Sequence, residues 1–480
     1  MELRAAAFGL RSDAIADQST ALLRLRNAMT ADRTRHYRVV FEPGDYRYTN
    51  NRWLFGVVSV TIEANGASFG CLSPSDAEQN ARPLNVNSIF QDHGDRPWPD
   101  GLTYHTGWPA ARSLPAGSGI VPLQRPDDSR RCRVGAPVLV HSFDQQFGGF
   151  PPNLRRFEWR RVAAVDRVAG TVALDAPLAF DHDAGLRDTV YDDGSGLAFG
   201  RARLMLLDRP AYRYPERIEI LDARFVRNPS QPQEAANGLC LAADTLILRR
   251  CSHDGMVWPS ENRVALYEDC RFTDVEVDKL CGEVTFRGCS FARPVTGATG
   301  VMNLLLERCR IEGFVGVSPR RARIVGCAIH TSADDPWGAI RCHYDTFPVE
   351  MLECIDNEIV TGGPLHFAIN GGRSHTLTVS ASGEGNEILL DDTRANREGV
   401  ISQLAEGALL RLETGTATGT LARIGWTGRQ WLLCGDWPVR VAPGQVWSFS
   451  NVQAVRERGT RLIGAEAPVL RTPPVTQRLL

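Results

Sequence analysis

The sequence predicts an all-β solenoid: stacked coils of a parallel β-helix, closed at the N-terminal end by a helix and interrupted by a small inserted antiparallel β-module. Three observations lead there. Five cysteines recur about twenty residues apart, at 251, 270, 289, 309 and 327, in LILRRCSHDG, ALYEDCRFTD, VTFRGCSFAR, LLLERCRIEG and ARIVGCAIHT. A period near twenty with several short β-rich runs per unit signals stacked coils. Each unit reads as a β-rich run, a polar pair, Cys and a second run, without the LxxLxLxxN frame or helical half of a leucine-rich repeat. Finally, 480 residues exceed one ordinary compact domain, a limit that a repeat escapes because its core grows along an axis.

Taken in order, residues 8–35 form an amphipathic helix over the first coil, where a bare solenoid end would be an open sheet edge. Residues 1–90 hold this cap and the first coil, which runs from about 38 to 72. Residues 91–205 are an excursion. Its start, DHGDRPWPDGLTYHTGWPAARSLPAGSG, is rich in Pro, Gly and Trp, and 125–190 alternates like a small antiparallel module. Residues 206–395 carry the main coils, and 396–480 form a β-rich C-terminal cap in which 405–440 echoes the inserted module.

Within each coil, a small, apolar, free cysteine suits an inward turn whose copies stack roughly 4.8 Å apart. The five thiols are therefore an internal ladder rather than ligands or nucleophiles. EMLECIDNEI continues it with Asn357, and VTIEANGASF places Asn65 in the equivalent position upstream.

Composition narrows the partners. A formal net charge of −2 excludes the basic footprint of a nucleic-acid binder. No apolar run reaches the roughly 20 residues of a membrane span. The N-terminal MELRAAAFGL lacks an apolar h-region and cleavage site. Of 54 Lys and Arg residues only Lys279 is a lysine, so its own chemistry is marked against an arginine background.

AFGLRSDAIADQSTALLRLRNAM, YRVVFEPGDYRYTNN and VSVTIEANGASF resemble the opening of the pectate-lyase-like superfamily, with Asp13, Asp17, Ser19, Ala21, Phe41, Pro43, Gly44, Tyr46 and Gly66 on its frame. The resemblance covers about 7–70 and the coils at 215–395. It implies a right-handed, single-stranded parallel β-helix, tailspike-like and carbohydrate-active, in an extracellular, periplasmic or virion-associated setting. It leaves the activity open, since this scaffold serves lyases, hydrolases, transferases and tailspikes. The aspartates at its start are helix-opening residues there.

Strand alternation then sorts the faces. About eight residues past each cysteine a further strand begins. In VEVDK, Val275 and Val277 point inward, leaving Glu276 and Asp278 outward with Lys279 at the strand end. Arg341 and His343 point outward in GAIRCHY, and His366 and Asn370 in LHFAIN. Preceding loops bring Asp254 and Trp258, and the inserted loop SADDPWG brings Asp334, Asp335 and Trp337.

The first reading is a glycoside hydrolase or related glycan transferase. Glu276 and Asp278, two apart on one strand, place carboxylates roughly 5–8 Å apart, within the glycosidase geometries, and like charges that close raise one pKa. Asp334 and Asp335 are a second pair, with Arg341 and His343 similar in type to groups of the polygalacturonase-like glycosidases, although order and spacing differ. Lys279, Arg341, His343, His366 and Asp254 would bind substrate, and Trp258 and Trp337 would stack on sugar rings. This reading needs no metal. A polysaccharide lyase is the second: VEVDKLCGEVTF is similar to the base-lysine stretch of alginate-lyase-like enzymes, which implies Lys279 as base and Asp274 as a Ca²⁺ ligand, with Phe272 where a second acidic ligand is expected. The third is a tailspike or adhesin that grips a glycan without cleaving it, of a kind that trimerises along the helix axis.

Overall fold

The computed structural model describes residues 1–13, 16–72, 85–86, 107–142, 156–182, 189–190, 198–199, 202–208, 213–226, 239–277, 280–297, 300–332, 338–342, 349–361, 369–370, 375–401, 404, 407–464, 470–471 and 478–479. The chain is a parallel β-helix. Each full coil passes through two sheets. The first sheet has twelve parallel strands, from Glu2–Arg4 and Tyr37–Val40, through Arg217–Leu221 and the cysteine-bearing coils, to Ala454–Arg458 and Arg478–Leu479. The second sheet is bent into two tracks. A proximal track follows the ladder residue, as in Arg310–Glu312, and a distal track follows a corner, as in Val315–Val317. Ser252–Pro259 and Arg271–Val277 run through both tracks as continuous strands.

The repeated polar pair before each cysteine has a backbone cause. Its second residue is left-handed in successive coils: Asp222, Arg250, Asp269, Gly288, Arg308, Gly326 and Asp356 all have φ between 52° and 63°. That conformation turns the chain sharply from the first sheet into the second. Its strain is offset by a rung bond, because each N–H donates to the next coil, as Asp269 N to Arg287 O at 2.8 Å and Gly326 N to Ile355 O at 2.9 Å.

The next residue turns inward and forms the ladder. Cys251, Cys270, Cys289, Cys309 and Cys327 are all buried, and each thiol donates to a carbonyl one coil below, as Cys309 Sγ to Phe286 O at 3.4 Å and Cys327 Sγ to Leu306 O at 3.5 Å. Asn357 extends the column by doing both jobs of an amide. Its Nδ2 donates to Ile324 O and its Oδ1 accepts from Cys327 N, each at 2.9 Å. Asn65 does not belong to the column. The turn there is two residues longer, so Ala67 takes the ladder position, bonded through Arg224 N to Ala67 O, while Asn65 (φ 51°) donates to Phe41 O. Aromatic rings line up beside the ladder, Tyr267 stacked on Phe286 at 4.6 Å and Phe69 tilted against Phe225 at 5.9 Å.

The capping helix is shorter than its pattern suggests. It spans Ser19–Ala31 and buries Ala21, Leu22, Leu25 and Met29, while residues 5–8 form a separate 3₁₀ turn ended by Gly9. Asp17 accepts from the Ser19 amide, the Ser19 hydroxyl and Thr49, so it anchors the helix start.

Two antiparallel sheets leave the solenoid at the same place, between the distal track and the first sheet. A six-stranded sheet lies between Trp108–Pro109 and Ala202–Leu206, and its Trp159 indole donates to Leu280 O. A seven-stranded sheet lies between His375–Thr378 and Val446–Ser450, so the boundary expected at 396 falls inside it. The chain then rejoins the solenoid at Ala454–Arg458 and makes one more coil.

Candidate functional site

The distal track positions the residues singled out by alternation. Its inward column is Leu239, Val257, Val275, Val295, Val315 and Ile340, all essentially inaccessible. The outward neighbours therefore share a column: Trp258, Glu276, Thr296, Gly316 and Arg341, with position 370 next in register. Glu276 and Arg341 stand on one flank, three rungs apart, which is about 14 Å.

Glu276 is exposed. Trp258, one rung below, is half-buried. Asp254 is exposed and sits where the rung register between His253 and Met256 shifts, 3.7 Å from His253 Nδ1. A bulge of this kind re-aims a side chain. Arg341 is on the expected face but is covered, only 6 % exposed, with its guanidinium 3.4 Å from the centre of the Phe314 ring. The guanidinium plane lies on Phe314, and little of Arg341 reaches the surface. Asp278, Lys279, Asp334, Asp335, Trp337, His343 and His366 lie outside the described residues.

One acid gains a part that alternation had not given it. Asp274 is two residues before Glu276 in Arg271–Val277, outward on the same strand, and at the sequence level it figured only as a calcium ligand by resemblance. It is half-buried. Burial raises its pKa above the usual carboxylate value, against a backbone hydrogen bond from Val275 and the charge of Arg293, which lower it. Positions 274, 276 and 278 all obey the same alternation, so sequence pattern could not choose among the pairs; burial at the bend between the tracks distinguishes Asp274. Among the described residues no group of three or more His, Cys, Asp or Glu is placed to hold a metal ion.

Two other places carry chemistry-bearing residues. Clefts of about 500 and 620 Å³ lie against the first sheet; Glu283 and Glu350 line both, and Glu158, Phe180, Arg263 and Arg320 line the smaller. Their charges are largely paired with one another: Glu350 binds both Arg320 and Arg321, and Arg263 holds Asp244 at 2.9 Å. Beside them, Ser142 Oγ lies 3.1 Å from His182 Nδ1, and His182 Nε2 lies 3.2 Å from Glu158. That relay resembles an activated nucleophile. However, Ser142 and His182 are each 1 % exposed, and Glu158 also accepts from Ala179 N, Phe180 N and Arg160. These bonds together outweigh burial and hold the Glu158 pKa below the usual range. The relay ties the inserted sheet together.

No family model matches the chain, and no curated protein matches it. Among solved structures it is similar to the Gp54 tailspike of Acinetobacter baumannii bacteriophage AP22, solved in complex with A. baumannii capsular saccharide (9 % identity, TM-score 0.33, 94 % of this chain and 96 % of that one). It is also similar to the tailspike gp61 of Pseudomonas phage phi297 (9 %, TM-score 0.29, 93 % and 98 %) and the tailspike gp49 of Pseudomonas phage LKA1 (11 %, TM-score 0.28, 93 % and 98 %).

Proposed function

We propose that this chain is a polysaccharide-active protein whose chemistry sits on the outer distal track, with Asp274 and Glu276 as the reacting carboxyls of a glycoside hydrolase or related transferase. The observation that carries the reading is the pair itself: two acids on one outward strand face, one half-buried with a raised pKa, the other exposed. Residues two apart on a strand are separated by about 6.6 Å along it, within reach of the carboxyl separations of retaining and inverting glycosidases. In this reading Asp274, whose burial favours the protonated form, gives its proton to the leaving glycosidic oxygen. Glu276, open to solvent, acts on the anomeric carbon directly or through water. Trp258, one rung away, offers an apolar ring edge to the neighbouring sugar.

Incubation with a panel of polysaccharides tests it. New reducing ends without absorbance near 235 nm are expected, and Asp274→Asn or Glu276→Gln should each abolish them. Unsaturated products would transfer the site to the lyase reading, with Lys279 as base. A glycan bound tightly and left intact by the unmodified chain would make the protein a non-catalytic spike or adhesin.

A further inference from the structure

The proximal track carries a charge pattern that the acid pair does not use. Its outward column, read along the axis, is Ser68, Arg224, Ser252, Arg271, Ser290, Arg310 and Ala328. Arginine occupies every second rung across five rungs and serine fills the rungs between. The three arginines are exposed. Together with Asp254, Thr273, Ala292 and Glu312 the stretch of the column from Arg224 to Arg310 lines a groove of about 400 Å³.

The first sheet of the same molecule shows how a column of charge looks when its use is structural. There Arg249, Glu268, Arg287 and Glu307 stand on consecutive rungs, and each arginine is paired with the glutamates above or below, at 2.9 Å for Arg249–Glu268 and 2.7 Å for Arg287–Glu307. On the proximal track the intervening rungs hold serine where those glutamates would be. Arg310 pairs with Glu312 on its own strand at 2.9 Å, but among the described residues Arg224 and Arg271 have no acidic partner. Serine is too short to fill the space between two arginines, so it leaves a trough and adds a hydroxyl to its wall.

We infer that this groove binds an acidic polysaccharide lying along the solenoid axis, with its acid groups on alternate sugars. Every second rung is about 9.5 Å, on the order of the advance of a disaccharide in an extended glycan. The guanidinium fork matches a carboxylate bidentately. The inference deepens the proposed function, on which it rests, by naming the substrate class. The groove leads to the acids, since Arg293 next to its Ala292 wall is the cation felt by Asp274.

Binding of the full chain to an array of carboxylated, sulfated, phosphorylated and neutral polysaccharides tests it, followed by calorimetry on the best ligand at low and high salt. The ligands bound should be carboxylated, and affinity should fall as salt rises. Arg271→Ala should cost about tenfold or more, with Arg271→Lys retaining part of that loss and Arg249→Ala, on the opposite sheet, leaving affinity unchanged. A neutral ligand, or full affinity in both Arg224→Ala and Arg271→Ala, would overturn the acidic assignment while leaving the glycan reading intact. Sulfated or phosphorylated ligands alone would overturn the carboxylate assignment. Failure of every polysaccharide to bind would overturn both.

Discussion

Asp274 and Glu276 differ by one strand step and by burial, and that difference sets two measurable consequences. A carboxyl whose folded pKa lies above its unfolded value binds its proton more tightly when folded. It therefore subtracts stability once pH rises past the unfolded value, and the full cost is reached above the folded value. Asp274→Asn removes that ionisation. The variant should be at least as stable as the parent at pH 7, by thermal melting, while losing turnover; a variant with lowered melting temperature and intact turnover would assign Asp274 a purely structural part. In the parent, activity should decline on the alkaline side as Asp274 loses its proton, at a pH above that expected of an ordinary aspartate. Alternation alone placed Glu276 correctly on the outer face. It could not show that Asp274 would be half-buried at the bend, nor that Arg341 would lie against Phe314, because both depend on residues brought together from other coils.

At the scale of one coil, the recurrent unit is a left-handed residue followed by an inward hydrogen-bonding side chain. Asn357 fills this role with two bonds between buried groups. Asn357→Ala leaves the Cys327 amide and the Ile324 carbonyl without those partners and should cost about 2 kcal/mol or more in denaturant unfolding. Asn357→Cys restores a donor to Ile324 O, as in the five coils before it, and should recover part of the loss. Equal destabilisation by both would show that the ladder bonds are not the source. The thiols themselves should be inert. The hydrogen bond to the Cys289 sulfur, with burial, pushes Cys309 up to about 12, and eleven of the twelve cysteines are buried. Native protein should titrate about one equivalent of thiol with an aromatic disulfide reagent, at half-exposed Cys434, against twelve after unfolding. The ladder was readable because its period is local and its chemistry repeats. Asn65 misled because two extra residues in its turn shift the register without changing the flanking pattern.

Across the whole molecule, the buried apolar side chains among the described residues fall into four clusters. The solenoid core runs from Leu3 to Val455. The second inserted sheet encloses its own, around Trp431, Trp447 and Phe449, and the first inserted sheet has another around Val138, Val140 and Leu204. The fourth, with Leu139, Phe157, Trp159 and Met205 against Ala242 and Leu280, joins the first inserted sheet to the solenoid, whereas the second inserted sheet shares no cluster with it and need not melt with it. Calorimetry should therefore resolve more than one transition, and a single one with matching calorimetric and van't Hoff enthalpies would refute independent units. Among the described residues no helix is long and apolar enough to cross a membrane.

What the amino-acid order determined by itself is the coil: a period near twenty, the inward cysteine, and the side of each strand that meets water. These follow from neighbours along the chain and from strand geometry. Which outward residues become one surface was decided only by the tertiary stack. Rungs drawn from segments eighteen or more residues apart align Trp258, Glu276 and Arg341, cover one and expose another, and set Arg224, Ser252 and Arg271 in file. Burial and the spacing of charge between coils are properties of that stack, and no single strand carries them.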